Sequence, residues 1–195
     1  MKGPTTAADL EPSHRLAKRP VDARRKLPIP AVSIHLPEDR AYDSESLVVS
    51  IDHPHALVKW DAIYAPAVFT LGKEKRCALC TEPFDTFPAF LGGPSTVRTG
   101  HYNDGPMHVE CAHASLTLCP HLRLGHHRRS SESRAQGINE RSERMFLTLV
   151  TGYSIALGED SMHFVVEPKH VLDTLAFHYV NGEIEPEPIG RRDGR

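Results

Sequence analysis

The chain has 195 residues, of which only 7% are aromatic and 16 are proline, a composition that allows one substantial domain with tails. Its formal charge of -2 at pH 7 excludes a uniformly basic nucleic-acid binder but leaves room for a local basic patch. Met1 to Arg15 lacks the apolar run of a signal peptide, and no stretch approaches the roughly 18 apolar residues of a membrane helix, so a soluble, cytoplasmic protein without membrane contact is expected.

Residues 1–45 are rich in charge and small residues and are punctuated by Pro4, Pro12, Pro20, Pro28, Pro30 and Pro37. Low hydrophobicity of this kind does not offset the entropy of ordering, so a disordered basic arm is predicted. Between Arg15 and Lys26, the six basic residues Arg15, Lys18, Arg19, Arg24, Arg25 and Lys26 stand against Asp22 alone. Such a run is either a phosphate contact or a solvated leader.

The folded part is expected over 46–182. Leu47-Val48-Val49-Ser50-Ile51 reads as a short strand. Ala56, Leu57, Trp60, Ile63 and Tyr64 then recur at helical spacing until Pro66, with Trp60 as a core anchor. Val68-Phe69-Thr70-Leu71 reads as a strand leading into Cys77-Ala78-Leu79-Cys80.

Cys77 and Cys80, two residues apart, are answered by His108 and Cys111 at the same spacing. A tight turn or a first helical turn puts residues i and i+3 on one side, so two such pairs supply the four donors of a closed tetrahedral zinc site. The predicted cofactor is a structural Zn2+ on Cys77, Cys80, His108 and Cys111. The bland alternative is four unlinked reduced cysteines in a core. Asp104-Gly105-Pro106 reads as a helix start with Pro106 at the first position, so that His108 and Cys111 fall in the first turns. Cys119 is the rival ligand, but eight helical steps of 1.5 Å would carry it about 12 Å from Cys111. Pro120 should end the helix there, leaving Cys119 as a small packed thiol. A two-cysteine turn followed by ligands at a helix start is similar to a treble-clef zinc finger in arrangement.

Between the pairs, Phe87-Pro88-Ala89-Phe90-Leu91-Gly92-Gly93-Pro94 suggests a β-hairpin whose phenylalanines cover the metal. One exposed ring for base stacking is the alternative.

The series Cys77, Cys80 and Pro83, then Phe90 to Pro94, His108 with Cys111-Ala112, and Cys119-Pro120-His121-Leu122 resembles a group of uncharacterised phage and prophage proteins. It covers about a quarter of the chain. The resemblance implies a zinc-binding accessory protein of phage type and brings no activity with it. A separate comparison with HNH endonucleases would assign His101, Asn103 and His113 to catalysis. No Asp precedes His101, and His101 stands too close to Asn103 for the usual loop.

From His121 to Arg134 the chain is basic, with Arg123, Arg128, Arg129 and Arg134 the candidate phosphate contacts and His126 and His127 able to add charge at low pH. Glu132, Glu140 and Glu143 dilute that charge, so a flexible solvated connection is the competing reading. A second metal on Cys119, His121, His126 and His127 is loosely spaced and is not predicted. Met145 to Leu157 and Met162 to Val166 form a predicted antiparallel hairpin around Gly158-Glu159-Asp160-Ser161. Pro168 should then open a helix with Val171, Leu172, Leu175 and Tyr179 on its apolar face, closed by Asn181-Gly182, and residues 183–195 form a frayed tail. His163, His170 and His178 read as packing residues.

The whole is an α+β fold: a treble-clef-like zinc unit over about 68–121, joined to a C-terminal hairpin and helix. Three functions follow. The first is a non-catalytic accessory protein binding DNA or RNA beside the zinc helix. The second is a module acting on a host protein through the hairpin and C-terminal helix, and the third a degenerate HNH-type nuclease needing a further divalent ion.

Overall fold

The computed structural model describes residues 3–37, 56–102, 104–123, 143–157 and 164–187. They form an α+β fold. Strands β1 (Ser33–Pro37) and β2 (Ala56–Ile63) pair antiparallel as a two-stranded ribbon. Strands β3 (Ala89–Gly92), β4 (Arg144–Leu157), β5 (Phe164–Val180) and β6 (Glu183–Pro186) make an antiparallel sheet in that order. Helices α1 (Ala65–Lys73), α2 (Pro94–Thr99), α3 (Val109–Leu118) and the short α4 (Pro120–Arg123) complete the set. No helix among the described residues is long and apolar enough to cross a membrane.

One hydrophobic core joins these elements. Val68 of α1, Phe90 of β3, Leu116 of α3, Leu147 and Val150 of β4 and Val166 of β5 are all fully buried in it. Helix α1 sits flush on β4, for a Cβ on Gly72 would come within 2.7 Å of Ile155 Cδ1. The Tyr153 hydroxyl donates to the Gly72 carbonyl at 2.8 Å across the same contact.

Residues 3–37, predicted to be a disordered arm, pack into this core instead. Leu10, Leu16, Leu27, Ile29 and Val32 are buried, while Val21 stays 48% exposed. Local bonds replace the missing regular structure, in two short 3-10 turns over Ala7–Asp9 and Arg15–Lys18. The Thr5 N–H and hydroxyl, then those of Thr6, hold the Asp9 carboxyl down at about 2. Average hydrophobicity misleads here because a handful of well-placed leucines and ion pairs suffices to order the segment.

Four elements differ from their sequence reading. Residues 56–63 are strand, not helix, since register with Ser33–Pro37 satisfies their backbone and overrides the apolar spacing. Residues 68–71, read as a strand, lie inside α1, and Pro66, read as ending a helix over the residues before it, instead stands in the first turn of α1. The expected hairpin over 87–94 is replaced by β3 followed by α2, which Pro94 opens, and β3 takes β4 as its partner. The expected C-terminal helix is the second half of β5, because β4 offers a paired ladder from Arg144 to Leu157 that a helix would forgo. Asn181 (φ 51°) and Gly182 (φ 84°) then make the left-handed pair of a tight hairpin turn into β6, so residues 183–186 are strand and not tail. The hairpin of β4 and β5 agrees with the sequence reading. The strand expected at Leu47–Ile51 and residues 38–45 and 188–195 lie outside the described residues.

Candidate metal centre

Cys77, Cys80, His108 and Cys111 converge: one ligand atom from each lies within 4.8 Å of all the others, and all four residues are buried. The first pair sits in a backbone knuckle. The Thr81 N–H donates to the Cys77 carbonyl at 3.0 Å, and the Cys77 N–H to the Glu82 carbonyl at 3.0 Å. Thr81 takes a left-handed φ of 71° to turn the chain back. The Leu79 N–H points at Cys77 Sγ at 3.4 Å, a bond that favours a thiolate there.

The second pair is set by the start of α3. His108 is its N-cap and Cys111 lies in its first turn. The helix thus begins three residues later than Pro106 suggested, since Met107 is held in an antiparallel bridge with Ala89. The Ala78 N–H donates to the Pro106 carbonyl at 2.8 Å and ties knuckle to helix. Gly105 permits that approach, because a Cβ there would stand 2.7 Å from Ala78 Cβ and 2.9 Å from Val68 Cγ1.

The histidine is oriented for ligation. Its Nε2 lies 3.1 Å from the Pro83 carbonyl, which can only accept, so Nε2 carries a proton and Nδ1 is the nitrogen turned towards the sulfurs. Nδ1 is 3.4 Å from Cys80 Sγ. The Phe84 ring packs against the imidazole with centroids 5.0 Å apart, the covering role expected of the phenylalanines. Phe90 is buried against Tyr102 and Tyr153, whereas Phe87 is 51% exposed.

The donor chemistry fits a cation. Burial pushes the Cys77 thiol up, but hydrogen bonds from Cys111, Cys80 and His108 outweigh it and strongly favour the thiolate. Although the hydrogen bond from Cys111 pulls Cys80 down, its bond to Cys77 and its burial push it up to about 11. Hydrogen bonds to Cys77 and Cys80, then burial, raise Cys111 strongly. Three crowded thiols therefore keep one negative charge among them, and a bound cation is what would let all three ionise.

The N-terminal segment closes over this set, a feature that the sequence reading missed. Ala31 N–H donates to the Leu79 carbonyl at 3.1 Å. Arg15 reaches Glu82 Oε2 at 3.0 Å, Glu110 Oε1 at 2.7 Å and the Asp85 carboxylate, while Lys18 Nζ lies 2.8 Å from Glu82 Oε1. Burial lowers Arg19, and attraction to Cys80 and Cys77 opposes the shift, which places its guanidinium within electrostatic range of the sulfurs. The signal available in sequence was the acidic residues beside the ligands, Glu82, Asp85 and Glu110, matching the basic run.

Cys119 caps the C-terminal end of α3 in an extended conformation, the end expected from Pro120, and is not among the four converging ligands. Arg123 ends α4, while Arg128, Arg129, Arg134, His126 and His127 lie outside the described residues. Of the nuclease candidates, exposed His101 has Nε2 3.7 Å from Glu167 Oε1, and His113 meets Phe177 edge-on at 5.7 Å. Asn103 and His163 lie outside the described residues. No second group of three or more potential metal ligands converges among the described residues. No protein-family model, curated protein or solved structure matches the chain.

Proposed function

We propose that this chain is a zinc-stabilised, non-catalytic binding protein whose Zn2+ is held by Cys77, Cys80, His108 and Cys111 as a structural ion. The observation that carries this is the closed, buried convergence of three sulfurs and one nitrogen within 4.8 Å. Zn–S bonds of about 2.3 Å make tetrahedral edges of about 3.8 Å, which the cluster reaches with a small contraction. Soft thiolates with one imidazole select zinc over the oxygen-seeking divalent ions. All four positions are filled by protein, so no site for a reacting water or substrate remains on the ion. The order of knuckle, bridge and helix start supports a treble-clef-like unit, with the single Ala89 to Met107 bridge in place of a hairpin.

Cobalt substitution tests the assignment. Tetrahedral thiolate-rich coordination predicts intense visible d–d bands at one equivalent of Co2+, displaced by Zn2+. Weak octahedral bands, or no saturation at one equivalent, would contradict it.

Nucleic acid is the partner favoured by charge. Lys73 and Lys169 both repel Lys75, and among the described residues no carboxylate pairs with any of the three. Lys75 Nζ lies 3.9 Å above the Tyr153 ring and Lys73 Nζ 5.3 Å from the Phe69 ring, so the patch combines ammonium groups with aromatic faces. Replacing Lys73, Lys75 and Lys169 by Gln should weaken binding of a labelled oligonucleotide and flatten its salt dependence by about three phosphate contacts. Binding equal to wild type would remove this patch from the account. The resemblance to phage and prophage proteins supports an accessory role. A host-protein partner is the second reading, favoured by Val171 and Leu172, exposed at 60% and 47% on β5.

A further inference from the structure

We infer that residues 10–32 form a cap over the metal centre and that Arg15 is its clasp, the residue whose release controls how fast the ion exchanges. The inference rests on the Cys3His set being a metal site. It adds a positioning residue that touches no ligand atom.

The geometry singles out Arg15. Its Nε, Nη1 and Nη2 each engage a different carboxylate, on Glu82, Glu110 and Asp85 respectively. These carboxylates flank both ligand pairs. Glu82 follows Cys80 by two residues and accepts the Cys77 N–H through its carbonyl, and Glu110 immediately precedes Cys111. Asp85 Oδ1 is also 3.9 Å from the protonated nitrogen of His108. One guanidinium from the N-terminal segment therefore bridges the knuckle and the helix start, the two pieces that must separate for the ion to leave. Its fork of donors suits this task, whereas an ammonium is a single point of charge.

The rest of the segment makes the clasp a cap. Leu16, beside Arg15, is buried in the core with Leu10 and Leu27. Ile29 is buried too, and its carbonyl accepts from Arg19 Nε at 3.0 Å. Ala31 completes the seal through its bond to the Leu79 carbonyl inside the knuckle. A chelator or exchanging thiol can reach the buried sulfurs only after this layer lifts. The Arg15 side chain is 22% exposed and its partners 34%, 59% and 43%, so the clasp lies where salt can screen it.

The experiment is transfer of zinc from the full-length, zinc-loaded protein to a chromophoric chelator, followed over a range of ionic strength. Wild type should release slowly at low salt and faster as salt rises. Arg15→Met, which keeps the aliphatic stem and loses the charge, should release on the order of tenfold faster at low salt and show a much flatter salt dependence. Arg15→Lys should fall between the two and keep part of the salt dependence. Asp85→Asn with Glu110→Gln should reproduce the Arg15→Met behaviour from the opposite side, which covers the case where the arginine variant fails to fold. Loaded variants that release at the wild-type rate, or faster with the wild-type salt slope, would overturn the clasp and leave the metal reading standing. Wild-type protein that holds no zinc would overturn the metal reading and the clasp together.

Discussion

Asp104 stands in the turn that delivers His108, and burial pushes its carboxyl up to about 6 from an ordinary value of 3.8. A carboxyl raised by folding supports the fold fully below its unfolded value and loses that support as pH climbs through the folded one. Asp104→Asn should therefore stabilise the protein by on the order of 1–2 kcal/mol above about pH 6, with the gap shrinking towards pH 4. Urea unfolding of both proteins at pH 5 and pH 8 checks this, and a gap independent of pH would contradict it. Cysteines divide at the same scale. Cys111→Ser should abolish stoichiometric zinc and lower the melting temperature, because it removes one of four donors from a closed site. Cys119→Ser should leave zinc content unchanged, since Cys119 lies at the far end of α3. Metal analysis of the two variants side by side decides between them.

The elements show where sequence reading holds and where it fails. The convergence of Cys77, Cys80, His108 and Cys111 was legible from their paired i and i+3 spacing, and the end of α3 was legible because Pro120 cannot continue from Cys119. The β4 and β5 hairpin was legible as far as Val166 from its β-branched residues. Beyond that, Val171, Leu172, Leu175 and Tyr179 satisfy a helical period and a strand equally, and only the distant partner β4 decides. Asn181-Gly182 carried the missing information, since two left-handed residues in succession are a hairpin signal before they are a helix cap. Residues 56–63 failed for the same reason, their fate resting on β1. Substitution can probe the element contacts directly. Gly105→Ala should raise the zinc-release rate and lower stability by about 1–3 kcal/mol, as its Cβ would wedge Ala78 and Val68 away from the helix start. Gly100→Ala, with nothing near its Cβ but a φ of 71°, should cost only the backbone term of about 1 kcal/mol. Equal effects on zinc release from the two glycine changes would argue against the wedge.

Across the whole molecule, one small site joins segments that are far apart in the chain. The N-terminal cap, the knuckle after α1, the start of α3 and the β-sheet behind Phe84 and Tyr153 meet around the same four ligands. With few aromatics and long irregular stretches, the chain would gain much of its cohesion from an ion at that junction, where metal binding free energy becomes folding free energy. The most direct test is thermal unfolding of the reduced, full-length protein with its metal content measured before and after chelation. The account predicts one zinc per chain and a fall in melting temperature of many degrees when the ion is removed, restored by adding Zn2+ back. Protein purified without zinc, or a melting curve unmoved by chelation, would contradict it.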